Sequence, residues 1–197
     1  MTARRTRRPA EEAKRVILEA AEKRLMQGGP DAVRIQPLAR DLGITDAAIH
    51  HHFGSRDELM VELLKFGGRR LREAARAATA PGVEDGLDVE AFLEGALTVF
   101  GDRGYARLAI WLKASGWRER GSGLFDDLAE AIESARPGGA GGTREDARFL
   151  AALVALVAMA EPIFGRPALR SVSLGGDPAT ARRFRAWLTG AIESLVS

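Results

Sequence analysis

All three histidines of this chain stand side by side, as His50, His51 and His52 within the stretch GITDAAIHHHFGSRDEL. Imidazole is a common metal ligand and the side chain that changes charge near neutral pH, so a metal centre is the first chemistry to test. Successive helical residues point about 100° apart. Three in a row therefore fan over more than half the circumference and cannot converge on one ion. A helical metal pair needs i and i+4 spacing, as in H-E-x-x-H, and the chain has no second histidine pair and no cysteine. No metal and no cofactor is expected. The glycine-rich RPGGAGGT at 136–143 follows no strand and holds no lysine, which makes it a poor phosphate cradle. With no nucleophile–base pair either, no catalytic residue is assigned, and a helical enzyme is the remote alternative.

The neighbours of the triplet give it another meaning. LARDLGITDAAIHHHF reads as helix, glycine turn, helix. Ala39 is small enough for close helix–helix approach, Gly43 accepts a left-handed turn, and Leu38, Leu42, Ile44, Ala48 and Ile49 seal the inner side. This is the helix-turn-helix pattern, whose second helix offers its outward residues to the major groove. Asp46, Ala47, His50 and His51 face outward on that reading, and His52 lies nearer the inner side as a half-buried packing residue.

The elements that must carry such a motif are all helical. Runs of alternating Val, Ile and Thr are absent, whereas 3.6-residue periodicity recurs throughout. The expected helices cover about 9–27, 35–42, and from Thr45 as N-cap to about Phe53. Ser55 and Glu58 form a capping box that opens a longer helix to about Ala78. Further helices follow at 89–100, 105–119, 124–135, at 144–164 after a Thr143 cap with Pro162 as an interruption, and from Asp177-Pro178 to the end. The fold class is all-α, with about nine helices. The spacing predicts a helix-turn-helix domain over 1–54 and a helical body over 55–197.

Composition agrees with a globular protein: 197 residues, 46% hydrophobic. The net charge of +2 hides an asymmetry. Residues 1–72 hold 15 Lys/Arg against 10 Asp/Glu, net +5, and the remainder 14 against 17, net −3. A basic first third, with Arg4, Arg5, Arg7 and Arg8 ahead of the first helix, points to a polyanionic partner. No apolar core follows the basic TARRTRRPA, so no secretory signal is read. The longest apolar run, 149–160, reaches roughly 18 Å at 1.5 Å per residue, short of a bilayer core of about 30 Å. It reads as a buried helix of a soluble, cytoplasmic protein with no membrane role.

RVILEAAEKRLMQGGPDAVRIQPLARDLGITDAAIHHHFGSRDELMVELL, residues 15–64, resembles the DNA-binding domain of the TetR family of bacterial transcriptional regulators. It has the amphipathic first helix, the LARDLGI segment, a short recognition helix ending in His-His-Phe, and Gly-Ser with a basic residue opening the fourth helix. The resemblance implies that Thr45 caps the recognition helix and touches phosphate. His50 stands where tyrosine is usual, His51 makes a second groove or phosphate contact, and Gln36 reaches the operator from the second helix. Arg56 stands in the place of a phosphate-binding lysine. Three departures are Asp46 at a position often lysine or neutral, Arg34 for the usual Ser/Thr cap of the second helix, and His50 itself. The DNA-binding set is therefore Arg34, Gln36, Thr45, Asp46, Ala47, His50, His51 and Arg56.

For the body, the resemblance implies a ligand-binding and dimerisation domain. Phe92, Ala96, Phe100, Leu108, Trp111, Ser115 and Leu128, with Leu112 and Phe125, recur at helical spacing and are the candidate lining for a small apolar or aromatic effector. Ser115, Tyr105 and Glu161 are the few polar candidates. The last two long helices hold more apolar surface than a modest domain hides, and Ala151, Ala152, Ala155 and Ala158 would let two copies approach closely as a homodimer. The expected function is that of a dimeric repressor on a palindromic double-stranded operator, released by a small-molecule effector. The alternative is an effector-independent dimeric DNA-binding protein.

Overall fold

A computed structural model describes residues 3–78, 88–118, 125–135 and 143–196. The described residues are helical apart from short connections, and no strand occurs among them. The helices are α1 (Ala3–Gly28), α2 (Ile35–Leu42), α3 (Asp46–Phe53), α4 (Arg56–Ala78), α5 (Val89–Leu97), α6 (Tyr105–Ala114), α7 (Asp126–Ala135), α8 (Arg144–Ser171) and α9 (Pro178–Val196). A 3-10 turn, Pro30–Ala32, precedes α2, and a π-turn, Thr98–Asp102, continues α5. The glycine segment 136–142 and the expected breaks at 79–86 and 121–123 lie outside the described residues.

The chain divides into two compact units, one made of residues 1–67 with 102–118 and the other of 68–101 with 119–197. These packing units cut across the functional division expected between residues 54 and 55. The first half of α4 and all of α6 belong with the amino-terminal helices.

In the first unit, α1 packs against the 3-10 turn, α2 and α3. Ile17, Ala21 and Leu25 repeat every four residues and are buried, with Leu18 beside them; this is the apolar stripe that holds an amphipathic helix to its core. Val16, expected on the same face, is exposed. The helix also begins earlier than expected, since its backbone is helical from Ala3 through the four arginines. Glu22, a surface charge by its sequence context, is 4% exposed. It accepts a hydrogen bond from Tyr105 Oη at 2.8 Å and one from Arg103 Nη1 at 2.9 Å. Both donors come from the segment opening α6, so a buried carboxylate with charged and neutral partners joins α6 to α1. The α6 helix stops at Ala114, not 119: Gly116 is left-handed, and the amide of Trp117 donates back to Leu112 O at 3.0 Å.

In the second unit, α8 packs against α5, α7 and α9. Its start is as expected: Thr143 Oγ1 accepts from the amide of Asp146, whose carboxylate accepts from the Thr143 amide in return. Its end is not. Pro162 and Pro167 both lie inside the helix, which runs to Ser171. Each proline removes one backbone hydrogen bond, but tertiary contacts hold the flanks. Arg185 of α9 makes a two-pronged ion pair with the mostly buried Glu161 (2.9 and 3.1 Å), and Leu169 is buried. At 28 residues α8 is long and apolar enough, by length and composition, to cross a membrane, with a mean hydropathy of 1.8 over 18 residues. The twelve-residue apolar run understated it. One face is nonetheless core: Ala147, Leu150, Ala151, Val154, Ala155 and Ala158 are buried.

The other face is not buried: Phe149, Leu153 and Leu156 are exposed, Phe149 by 64%. The small residues also sit differently from expectation. Ala151, Ala155 and Ala158 face inward, and only Ala152 of the four is exposed. On α9, Ile192 is buried while Trp187 and Leu195 are exposed.

Candidate nucleic-acid interface

The helix-turn-helix is built by local chemistry that the chain supplies at each joint. Gly43 ends α2 at φ 65°, and its amide and that of Ile44 donate back to Arg40 and Ala39 carbonyls; a residue with a Cβ is strained there. Thr45 is extended and its Oγ1 accepts from the Ala48 amide at 3.2 Å, which caps α3. Leu38, Ala39, Ile49 and Phe53 are buried beneath the motif, while Ile44, expected inside, is exposed. Ser55 and Glu58 exchange backbone and side-chain hydrogen bonds at the start of α4, and the Ser55 hydroxyl holds the Glu58 carboxyl below its ordinary range.

Two arginine forks then fix α2 from opposite sides in the chain. Arg24 of α1 donates from Nε to Asp41 at 2.6 Å and from Nη2 to the Pro37 carbonyl at 3.0 Å. The Asp41 carboxyl is held below its ordinary range by that hydrogen bond. Arg56, half-buried at the start of α4, donates from Nε to Val33 O at 2.7 Å and from Nη2 to Pro30 O at 2.8 Å. Its guanidinium carbon also lies 4.9 Å from the centre of the Trp111 ring of α6, within cation–π range. The planar fork suits this triple engagement as a lysine could not. Sequence reasoning placed Arg56 on phosphate; the structure gives its guanidinium inward partners and makes it a brace of the turn before α2. It also missed Arg24 and Glu22, since nothing in their neighbours along the chain marks a distant carbonyl or phenol.

The other DNA-facing candidates belong to the first unit. Arg34, Gln36, Thr45, Asp46, Ala47, His50 and His51 are all exposed. Arg34 donates from Nε to Asp31 O at 3.0 Å, and no side chain caps α2. Pro37 has no N–H, so the uncapped amides there are those of Ile35 and Gln36. His50 Nδ1 lies 2.5 Å from the Gly54 carbonyl. His52 is half-buried, edge-on to Phe53 with ring centres 6.4 Å apart and to His51 at 5.4 Å. Among the described residues no three His, Cys, Asp or Glu side chains come together as metal ligands.

The effector candidates are divided between the two units. Phe92, Ala96, Phe100 and Leu128 are buried residues of the second unit, whereas Leu108, Trp111 and Ser115 belong to the first. Trp111 is engaged by Arg56, and Ser115, exposed, donates to the Trp111 carbonyl at 2.9 Å. Of the polar candidates, Tyr105 already meets Glu22 and Glu161 already meets Arg185.

The described residues are helical, and the first unit presents a helix-turn-helix held by side chains of α1 and α4, with the outer residues of α3 exposed. Residues 17–63 match the description "Bacterial regulatory proteins, tetR family". The chain is 33% identical over 72 residues to the HTH-type transcriptional regulator BetI of Brucella suis biovar 1 (strain 1330), and 32% identical to that of Brucella melitensis biotype 2. Each match covers 34% of this chain and 36% of the relative's length. Solved structures share the fold along most of the chain. BioQ of Mycobacterium smegmatis is 19% identical with a TM-score of 0.55, covering 93% of this chain and 97% of that one. A TetR variant from Acinetobacter baumannii AYE in complex with minocycline is also 19% identical, with a TM-score of 0.57 and coverage of 91% and 92%. The family is one of regulators, not enzymes.

Proposed function

We propose that the protein is a dimeric, cytoplasmic transcriptional regulator that reads a palindromic DNA operator through α3, with residues 1–54 as the reading head. One observation carries this reading: the exposed face of α3, flanked by Thr45 and Arg34, is presented by a helix-turn-helix braced from both α1 and α4. The uncapped amides at the start of α2 are suited to a phosphate oxygen. On this reading Thr45, Arg34, Gln36 and His51 meet the backbone, Asp46, Ala47 and His50 meet base edges, and Arg56 acts by holding the motif in place.

Dimerisation through α8 and α9 is supported by large apolar side chains that are exposed among the described residues: Phe149, Leu153 and Leu156 on one helix, Trp187 on the other. Such a patch on a protein with a reading head marks an association surface, and a two-fold pair of heads reads two half-sites. Repression, and release by a small apolar or aromatic effector, is the mode carried over from the family resemblance. It requires that the effector bind the DNA-free state more tightly.

The test is selection from a randomised duplex library with the full-length protein. The expected product is an inverted repeat, bound with log affinity falling steeply against log salt. Enrichment of no sequence would overturn the reading.

A further inference from the structure

The recognition helix carries a hydrogen-bonding polarity that its residue names alone do not reveal. A carbonyl oxygen only accepts, so the 2.5 Å contact between His50 Nδ1 and the Gly54 carbonyl places a proton on Nδ1. A neutral imidazole holds one N–H, so the other ring nitrogen, Nε2, is left as an acceptor. The carbonyl is aimed at the ring by the backbone of Gly54, at φ 79° and ψ −87°, a conformation that disfavours any residue with a Cβ. A Cβ at Gly54 would also collide with the Glu58 carboxylate that caps α4. The tautomer is thus set by the turn that closes α3. Asp46 stands four residues earlier, on the same face and exposed. Its carboxylate, at the favoured N-terminal end of the helix, is acceptor-only when ionised.

We infer that α3 reads the major groove as a pair of acceptors, the Asp46 carboxylate and His50 Nε2, and so selects exocyclic amino groups, adenine N6 or cytosine N4, over the N7 and O6 acceptors of guanine. The inference rests on the proposed DNA-reading function. The two residues are about 6 Å apart in backbone rise along the helix, the scale of roughly two base steps at 3.4 Å each. An arginine or lysine at either place would read guanine instead. The acceptor pair also repels phosphate, which leaves backbone contact to Thr45, Arg34 and the amides that open α2.

The experiment takes the duplex enriched by the library selection and deletes single groups from it, at pH 8. Adenine is replaced by purine, or cytosine by 2-pyrimidinone, to remove one amino group; 7-deaza purines remove N7. Wild-type protein is expected to lose about fivefold in affinity on amino deletion at one position per half-site. That loss should vanish in His50→Ala, and a second such position about two base pairs away should be coupled to Asp46→Ala. His50→Lys, a donor only, should transfer the sensitivity to N7 deletion. Both residues are exposed, and matching far-UV circular dichroism of the variants verifies the fold. The inference is overturned if the position coupled to His50 responds to N7 deletion and not to amino deletion in the wild type, or if no position is coupled to His50 at all. Failure of the selection itself would instead defeat the DNA-binding proposal, and the inference with it.

Discussion

Arg56 provides the sharpest test of how the reading head is held, because two roles for it predict opposite results. Its Nε and Nη2 donate to Val33 and Pro30 carbonyls at 2.7 and 2.8 Å, and its guanidinium lies over Trp111. Each of these partly solvated hydrogen bonds contributes about 1 kcal/mol, the centre of the range for a typical hydrogen bond, and the stacking about 0.5–1 kcal/mol. Arg56→Ala should therefore destabilise the protein by about 2–3 kcal/mol, lowering Tm by roughly 5–10 °C for a chain of this size. Arg56→Lys keeps the charge but loses the fork and most of the stacking, so it should recover no more than about half of that. The assays are thermal unfolding followed at 222 nm, and the salt dependence of binding to the selected duplex at a temperature where both variants are folded. As a brace, Arg56 makes no phosphate contact, and the slope of log affinity against log salt should change by less than about half a unit in either variant. The reasoning is refuted if Arg56→Lys is as stable as the wild type while Arg56→Ala lowers the slope by about one unit, the signature of one lost phosphate contact.

Three further predictions follow from the same geometry. Glu22→Ala strands the Tyr105 hydroxyl and Arg103, and should lower stability by about 2–4 kcal/mol after allowance for the partial exposure of Arg103, against about 1 kcal/mol for Tyr105→Phe; urea unfolding separates the two, and equal losses would remove Glu22 from its bridging role. The Asp177 carboxyl, which caps α9, is lowered from 3.8 to about 2 by hydrogen bonds from the Thr180 hydroxyl first and then from the Thr180 and Ala179 amides. Its stabilising effect is complete above pH 4 and is lost as pH falls toward 2. Asp177→Asn should flatten that part of the acid-unfolding profile, and an unchanged profile would count against the cap. Leu156→Asp places a charge on the exposed face of α8, where it leaves the fold intact but opposes a two-fold interface. Sedimentation at micromolar concentration should show monomers with undiminished helical circular dichroism and weakened binding to the full inverted repeat, whereas a persistent dimer would move the interface elsewhere.

What the sequence determined by itself is the part of this protein governed by interactions between near neighbours. Gly43 and the Thr45 cap bound the two helices of the motif, Ser55 with Glu58 opens α4, and Thr143 and Asp177 start the last two helices. Each is a bond across three or four residues, so the residue types and their spacing carry the information. The outward set Asp46, Ala47, His50 and His51 follows from the same helical period.

What only the tertiary structure decided is where long side chains find distant partners. Glu22 became a buried hub because Arg103 and Tyr105, some eighty residues away, arrive beside it. Arg56 turned inward because two carbonyls and an indole lie within reach of its fork. Pro162 failed to stop α8 because contacts from outside that helix, Arg185 on Glu161 among them, hold its last turns. The alanines of α8 face the core, and the large side chains take the exposed side, because helical period marks a stripe without saying which neighbour it will meet. Even the polarity of His50 required the fold, since the atom that sets its tautomer is a backbone carbonyl turned toward it by a glycine past the end of the helix.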